Sequence, residues 1–236
     1  MEAAALAFEI VHRPDSALLC VRLADGQAVF AEPAAMVSMD AHVALKAGFR
    51  GGVMRSLGRA LAGESLVMNT FTARGRAGEV IFAPGPLGDI VHHRLRGGAL
   101  LLQRGAFVAH GAGVEIGSRW EGMRGFFSGE GLVLLRATGD GDLFFNTYGG
   151  LVEVDVRGRY LVDTGYVVAF EDTLAYDIST LPGLGVGSRV KTFLFGGEGL
   201  VCRFSGVGKL WVQTRAVPPF LRFVHPFRPV RKKSND

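Results

Sequence analysis

The pentapeptide Gly-Glu-Gly-Leu-Val stands twice in this chain, at 129–133 and 197–201, and Gly-Glu-Ser-Leu-Val at 63–67 is a third, looser copy. The likeness runs downstream. GESLVMNTFTARGRAGEVIFAP (63–84), GEGLVLLRATGDGDLFFNT (129–147) and GEGLVCRFSGVGKLWVQT (197–214) each hold an apolar strand, a glycine-bearing turn and a second apolar strand. Upstream, QAVFAEPAAMVSM (27–39), ALLLQRGAFVAH (99–110) and RYLVDTGYVVAF (159–170) recur as paired strands around Glu32-Pro33, Arg104-Gly105 and Thr164-Gly165. Internal self-similarity marks repeated supersecondary units that bury their apolar faces against one another. The order of features predicts a mainly β chain: a β-sandwich or β-roll of about three tandem modules, near 25–90, 91–156 and 157–217, within one domain over 1–217.

The turns follow from glycine chemistry. Gly75 and Gly78, Gly139 and Gly141, and Gly206 and Gly208 mark the bends, and Asp140-Gly141 has the composition of a two-residue hairpin. Gly63, Gly129 and Gly197 permit positive φ ahead of a strand. Glu64, Glu130 and Glu198 then stand at strand starts, solvated or bonded to a neighbouring amide; three symmetric carboxylates around a cation are the alternative. The first connector, 45–65, is the one good helix candidate, because Phe49, Val53, Leu57 and Leu61 recur every four residues. Between Asp40 and Glu64 it carries Lys46, Arg50, Arg55 and Arg59 and no acid. Such a helix either packs its apolar stripe on a sheet or lies on an anionic membrane surface. The tail over 218–236 has four prolines and a basic end, and reads as an extended strap with a disordered terminus.

Bulk properties narrow the class. With 48% hydrophobic and 20% charged residues, disorder is excluded for most of the 236 residues. The net charge of +4 is partly held by Arg228, Arg231, Lys232 and Lys233, too mild a balance to imply specific nucleic-acid binding. Cys20 and Cys202 are the only cysteines, which favours reduced thiols. The first residues lack a basic region ahead of their apolar stretch, and no run of about 18 apolar residues occurs. A cytoplasmic protein is expected.

With its repeats laid out, the chain resembles the AIM24 family, bacterial and mitochondrial proteins related to the fold of the tryptophan RNA-binding attenuation protein. GLVCRFSGVGKLWVQTR (199–215), YLVDTGYVVAF (160–170) and GGVMRSLGRALAGESLVMNTFTARGRAGEVIFAP (51–84) carry the resemblance, the first most specifically. It implies a compact roll of repeated β modules, assembling symmetrically, with mitochondrial members implicated in inner-membrane organisation. No catalytic residue comes with the resemblance, and the basic RNA-contacting triplets of the attenuation protein have no clear counterpart here.

Chemistry is sparse. The phosphate-loop, dinucleotide, zinc-protease, C-x-x-C and nucleophile-elbow motifs are missing from the sequence. His92 and His93 are neighbours and point to opposite faces of any strand, so they cannot easily share a metal shell. His110 would join one of them only across a hairpin turning near Gly97-Gly98. Asp155 and Asp163 would bracket a hairpin on Gly158, with salt bridges to Arg157, Arg159 or Arg136 favoured over acid–base work. Neither a metal nor a cofactor is expected. The expected function is non-enzymatic, a structural, scaffolding or interaction protein that self-associates. The alternative is a module binding an anionic partner, a membrane surface or nucleic acid, through 46–59 and the C-terminal tail.

Overall fold

The computed structural model describes residues 4–49, 67–119, 134–179 and 200–228. Its elements are overwhelmingly strands: β1 (Ala7–Val11), β2 (Leu18–Leu23), β3 (Ala28–Ala31), β4 (Met36–Met39), β5 (Val43–Phe49), β6 (Val67–Ala73), β7 (Gly78–Phe82), β8 (Ile90–Gln103), β9 (Phe107–Gly111), β10 (Val114–Arg119), β11 (Leu134–Asn146), β12 (Leu151–Asp163), β13 (Val167–Glu171), β14 (Leu174–Ser179) and β15 (Val201–Gln213). Among the described residues one α-helix, α1 (Val217–Val224), follows them. The mainly β class expected from the sequence is the class observed.

Alternation drives strand formation. In β2, Leu19, Val21 and Leu23 are buried while Cys20 and Arg22 face outward, the period of two that a pleated backbone imposes. The strands form a four-stranded sheet, β1-β2-β7-β4, and a larger one ordered β12-β15-β13-β8-β11-β9-β3-β6-β5, with β10 on β11 and β14 on β15. All strand pairs are antiparallel. Three apolar clusters fill the interior. Phe71 and Phe82 meet edge to face in the first, Phe145 and Trp211 in the second, Phe170 and Phe204 in the third.

One irregularity recurs. β4 pairs with β7 as Met39↔Val80, Ser38↔Ile81 and Met36↔Phe82, skipping one residue. β9 pairs with β11 as His110↔Leu143, Ala109↔Phe144 and Phe107↔Phe145, with the same skip. β13 pairs with β15 as Phe170↔Leu210, Ala169↔Trp211 and Val167↔Val212. Each of these is a β-bulge, two residues opposing one.

Several expected turns are absent. Asp140-Gly141 does not close a hairpin: β11 runs through it, unbroken from Leu134 to Asn146, and Gly206 and Gly208 likewise lie inside β15. Gly139 has φ +105, and a Cβ there would stand 2.0 Å from the carbonyl oxygen of Gly113, so the glycine lets the turn ahead of β10 lie close against β11. The pair only resembles a hairpin turn in composition. Gly75, by contrast, does turn, separating β6 from β7, which belong to different sheets. The hairpins placed at Gly97-Gly98 and Gly158 are also absent, since β8 and β12 pass straight through those positions.

Two further expectations are corrected. The helix candidate begins in a strand: β5 pairs residue by residue with β6 from Val43↔Ala73 to Phe49↔Val67, so its backbone bonds go to a neighbour, and tertiary pairing overrides helical periodicity. The remainder of that segment lies outside the described residues. The C-terminal strap is helical over α1 and turns once more as a 3-10 helix at His225–Phe227. Pro218 and Pro219 fall in the first turn, where a missing N–H leaves no intrahelical bond unmade.

Candidate functional site

The most concentrated polar chemistry lies where the N-terminal segment crosses the middle strands. β11 places Asp142 under that segment with only 4% of the residue exposed. The Leu6 amide donates to Asp142 Oδ2 at 2.8 Å, His92 Nε2 lies 2.8 Å from Oδ1, and Arg94 Nη1 donates at 3.2 Å. Arg94 also reaches Asp140 at 3.0 Å. Burial works to raise the Asp142 carboxyl, but the Leu6 amide, His92 and Arg94 together hold it below the usual carboxylate range.

A second anchor stands nearby. Arg13 grips the buried Asp89 with both ends of its guanidinium, at 2.7 and 2.8 Å, and the Ile90 amide donates to the same carboxylate at 2.8 Å. Two parallel bonds of this kind fix geometry as well as charge. Between the anchors opens a groove of about 440 Å³ lined by Phe8, Glu9, Ile10, Arg13, Val91, His92, Leu151 and Glu153. The Phe8 ring packs on His92 at 4.4 Å and edge-on to Phe144 at 4.9 Å.

What this arrangement can do chemically is limited by its members. His92 paired with Asp142 is half of an acid–base constellation, yet among the described residues no serine, threonine or cysteine lines the groove to serve as nucleophile. The thiols are elsewhere and held protonated: burial, with Asp177 adding to it, pushes Cys202 up to about 12, and burial with Glu79 and Glu9 raises Cys20. The carboxylates Asp89 and Asp142 spend their lone pairs on joining chain segments.

The other histidines are separated by the strand period. His93 faces away from His92, toward Trp211 at 5.4 Å, where burial lowers its pKa below the ordinary imidazole value. His110 is fully buried, bonded through Nδ1 to the Gly111 carbonyl at 2.7 Å and stacked on Phe30 at 4.9 Å. Among the described residues, no group of three or more histidine, cysteine or acidic residues is placed to hold a metal ion. Asp155 and Asp163 do not meet across a hairpin; Asp163 instead accepts the Gly165 amide at 2.8 Å, and Arg136 pairs with Asp172 at 3.1 Å.

Of the residues singled out from the sequence, Gly63, Glu64, Gly129, Glu130, Gly197, Glu198, Arg50, Arg55 and Arg59 lie outside the described residues. Lys46 is exposed on β5, opposite Thr70. The Asp142 and Asp89 anchors were missed because their partners are remote in sequence. Sequence reasoning also missed α1, none of whose residues is buried. Phe220, Leu221 and Phe223 are exposed along it, Phe227 just beyond is 76% exposed, and Arg222 and Arg228 stand among them. The signal was present in VPPFLRFVHPF, obscured by its prolines. Among the described residues no helix is long and apolar enough to cross a membrane.

A family model described as Mitochondrial biogenesis AIM24 matches residues 8–215. No curated protein matches the chain. Among solved structures, the X-ray crystal structure of protein SPYM3_0169 from Streptococcus pyogenes aligns with a TM-score of 0.79 at 24% identity, over 94% of this chain and 100% of that one. At that identity the likeness is one of fold.

Proposed function

The chain belongs to the AIM24 family, and we propose that it works as a non-enzymatic structural or scaffolding protein, a cytoplasmic homo-oligomer of stacked β modules with a fold of the attenuation-protein type. One observation carries the proposal: the best-buried carboxylates, Asp89 and Asp142, are occupied by Arg13, Leu6, His92 and Arg94, so the groove's charge serves to tie the N-terminal segment down. The bulged register common to β4·β7, β9·β11 and β13·β15 supports the division into three modules. Sedimentation of the full chain at micromolar concentration tests the assembly. A mass above one chain is expected, and a single-chain mass would overturn the scaffold reading.

The exposed apolar face around α1 favours a second reading, attachment to an anionic membrane surface. Phe220, Leu221, Phe223 and Phe227 would enter the interface while Arg222, Arg228 and the basic tail meet headgroups. Each arginine or lysine near such a surface contributes about 1 kcal/mol, screened by salt. Flotation with phosphatidylserine vesicles that is lost in high salt and absent with phosphatidylcholine is the expected result; no binding to either would remove this reading.

A further inference from the structure

Within the chain, neighbouring modules are joined by one kind of contact. β3 adds to β9 as Val29↔Gly111, Phe30↔His110 and Ala31↔Ala109. β8 adds to β13 as Leu100↔Glu171, Leu101↔Phe170 and Leu102↔Ala169. The two junctions are the same junction. Ala109 and Ala169 hold the same place beside their bulges, and Ala31 and Leu102 oppose Asn69 and Leu135 at matching rungs of their own modules. The Glu32 amide donates to the Val108 carbonyl at 2.9 Å, continuing the first junction by one more bond.

Each junction needs one strand of each type, and the two end modules each keep one unused. The counterpart of β9 and β13 in the first module is β4: Ser38 and Met39 occupy the rungs of Ala109 and His110. Among the described residues, β4 pairs only with β7. The counterpart of Leu100–Leu102 in the last module is Tyr160–Val162, which oppose Phe204, Arg203 and Cys202 as Leu100–Leu102 oppose Ala137, Arg136 and Leu135. Among the described residues, that half of β12 pairs only with β15, and β12 ends the larger sheet.

Burial draws the same line. Val108 and Val168, at the junction strands, are 0% exposed, whereas Val37 is 56% exposed. Leu101 is 2% exposed and its counterpart Leu161 is 48%. Both open edges therefore combine unpaired backbone groups with apolar side chains, the condition under which a strand accepts another strand.

We propose that chains associate head to tail, β4 of one copy adding antiparallel to the second half of β12 of another, with Ser38 opposite Val162 and Met39 opposite Leu161. The occupant is a second copy of this chain because the contact it would form is one the chain already makes twice with itself. This deepens the scaffold reading and rests on its self-association. Such a contact is heterologous, using a different surface on each partner, and its repetition builds a ring or a filament according to the rotation per step.

Val37→Lys and Leu161→Lys test it, since both positions are exposed in the single chain and a lysine on an edge strand opposes pairing. The wild-type chain sediments as an assembly, each variant sediments as one chain with an unchanged circular dichroism spectrum and melting temperature under dilution, and an equimolar mixture of the two variants gives a two-chain species and nothing larger. That last outcome is specific to head-to-tail pairing, because the mixture retains one good β4 edge and one good β12 edge. Either variant keeping the wild-type mass, or a mixture that stays single-chain, overturns the proposed junction while leaving self-association by other surfaces standing. A wild-type chain of single-chain mass overturns the scaffold reading along with it.

Discussion

The ladders β8·β11 and β12·β15, which we assign to a middle and a last module, are built nearly alike and differ in what covers them. β8 with β11 and β12 with β15 are long antiparallel pairs, each followed by a 3-10 corner, Arg104–Ala106 in one and Thr164–Tyr166 in the other. Yet β8 buries Ile90, Val91, Leu95 and the run Ala99–Leu102, while β12 buries only Val156. The difference lies in the neighbours: β13 covers the end of β8, and Trp211 lies with Val91 and Leu95 in one apolar cluster. In this chain burial is conferred from module to module, and a position's energetic weight depends on whether a next module exists.

The widest predicted contrast is between two leucines at matching rungs. Leu101→Ala removes a buried side chain from the cluster that also holds Val156, Phe170 and Leu210, and a cavity of that kind costs about 2–5 kcal/mol. Leu161→Ala trims a side chain that is half in water, with an expected loss within about 0.5 kcal/mol in the dilute single chain. Urea unfolding at low concentration measures both. Equal losses would mean that the ladders are covered alike and would break the comparison.

A smaller contrast separates two glycines at matching places in β11 and β15. Gly139 in β11 and Gly206 in β15 have φ of +105 and +119, so alanine at either is strained by about 1–3 kcal/mol. Their surroundings differ. At Gly139 the new Cβ would stand 2.0 Å from the Gly113 carbonyl oxygen, while at Gly206 the nearest atom, the Thr173 carbonyl oxygen, is 3.1 Å away. Gly139→Ala should therefore lower the melting temperature well beyond Gly206→Ala; the reverse order would show that the approach of Gly113 to β11 is the looser of the two.

These glycines also show where the sequence stops being legible. A glycine between two apolar runs serves a bend between sheets at Gly75 and a bulge at Gly139, and the letters on either side do not distinguish them, since the deciding atom belongs to Gly113 in the turn ahead of β10. The strand class and the opposed faces of His92 and His93 followed from local periodicity alone. The anchors did not, because Leu6 and Asp142 are 136 residues apart and Arg13 and Asp89 are 76 apart. For β5 the every-fourth spacing of Phe49, Val53, Leu57 and Leu61 suggested a helix, while Val43–Phe49 satisfies its backbone on β6. Around α1 two prolines masked an apolar face that their place in the first turn permits.

The finest contrast concerns the charged rung of each ladder. Arg94 opposes Asp142 in the middle module, and Asp155 opposes Lys209 in the last, with the signs exchanged between strands. Of the two, only Asp142 is buried, with the Leu6 amide of the N-terminal segment bonded to it; Lys209 remains about half exposed and reaches Glu153 at 3.4 Å. Asp142→Asn should cost about 1.5–3 kcal/mol, because a buried carboxylate with three donors loses its charge-assisted bonds, whereas Lys209→Gln should cost under about 1 kcal/mol. The pH dependence sharpens the point. With its folded pKa below the unfolded value, Asp142 adds stability that is fully present above the ordinary carboxylate range and is lost as pH falls through the depressed folded value. Unfolding free energy measured from neutral pH down into that range should fall more steeply for the wild-type chain and Lys209→Gln than for Asp142→Asn, and parallel curves would remove Asp142 as the acid-sensitive tie between the N-terminal segment and β11.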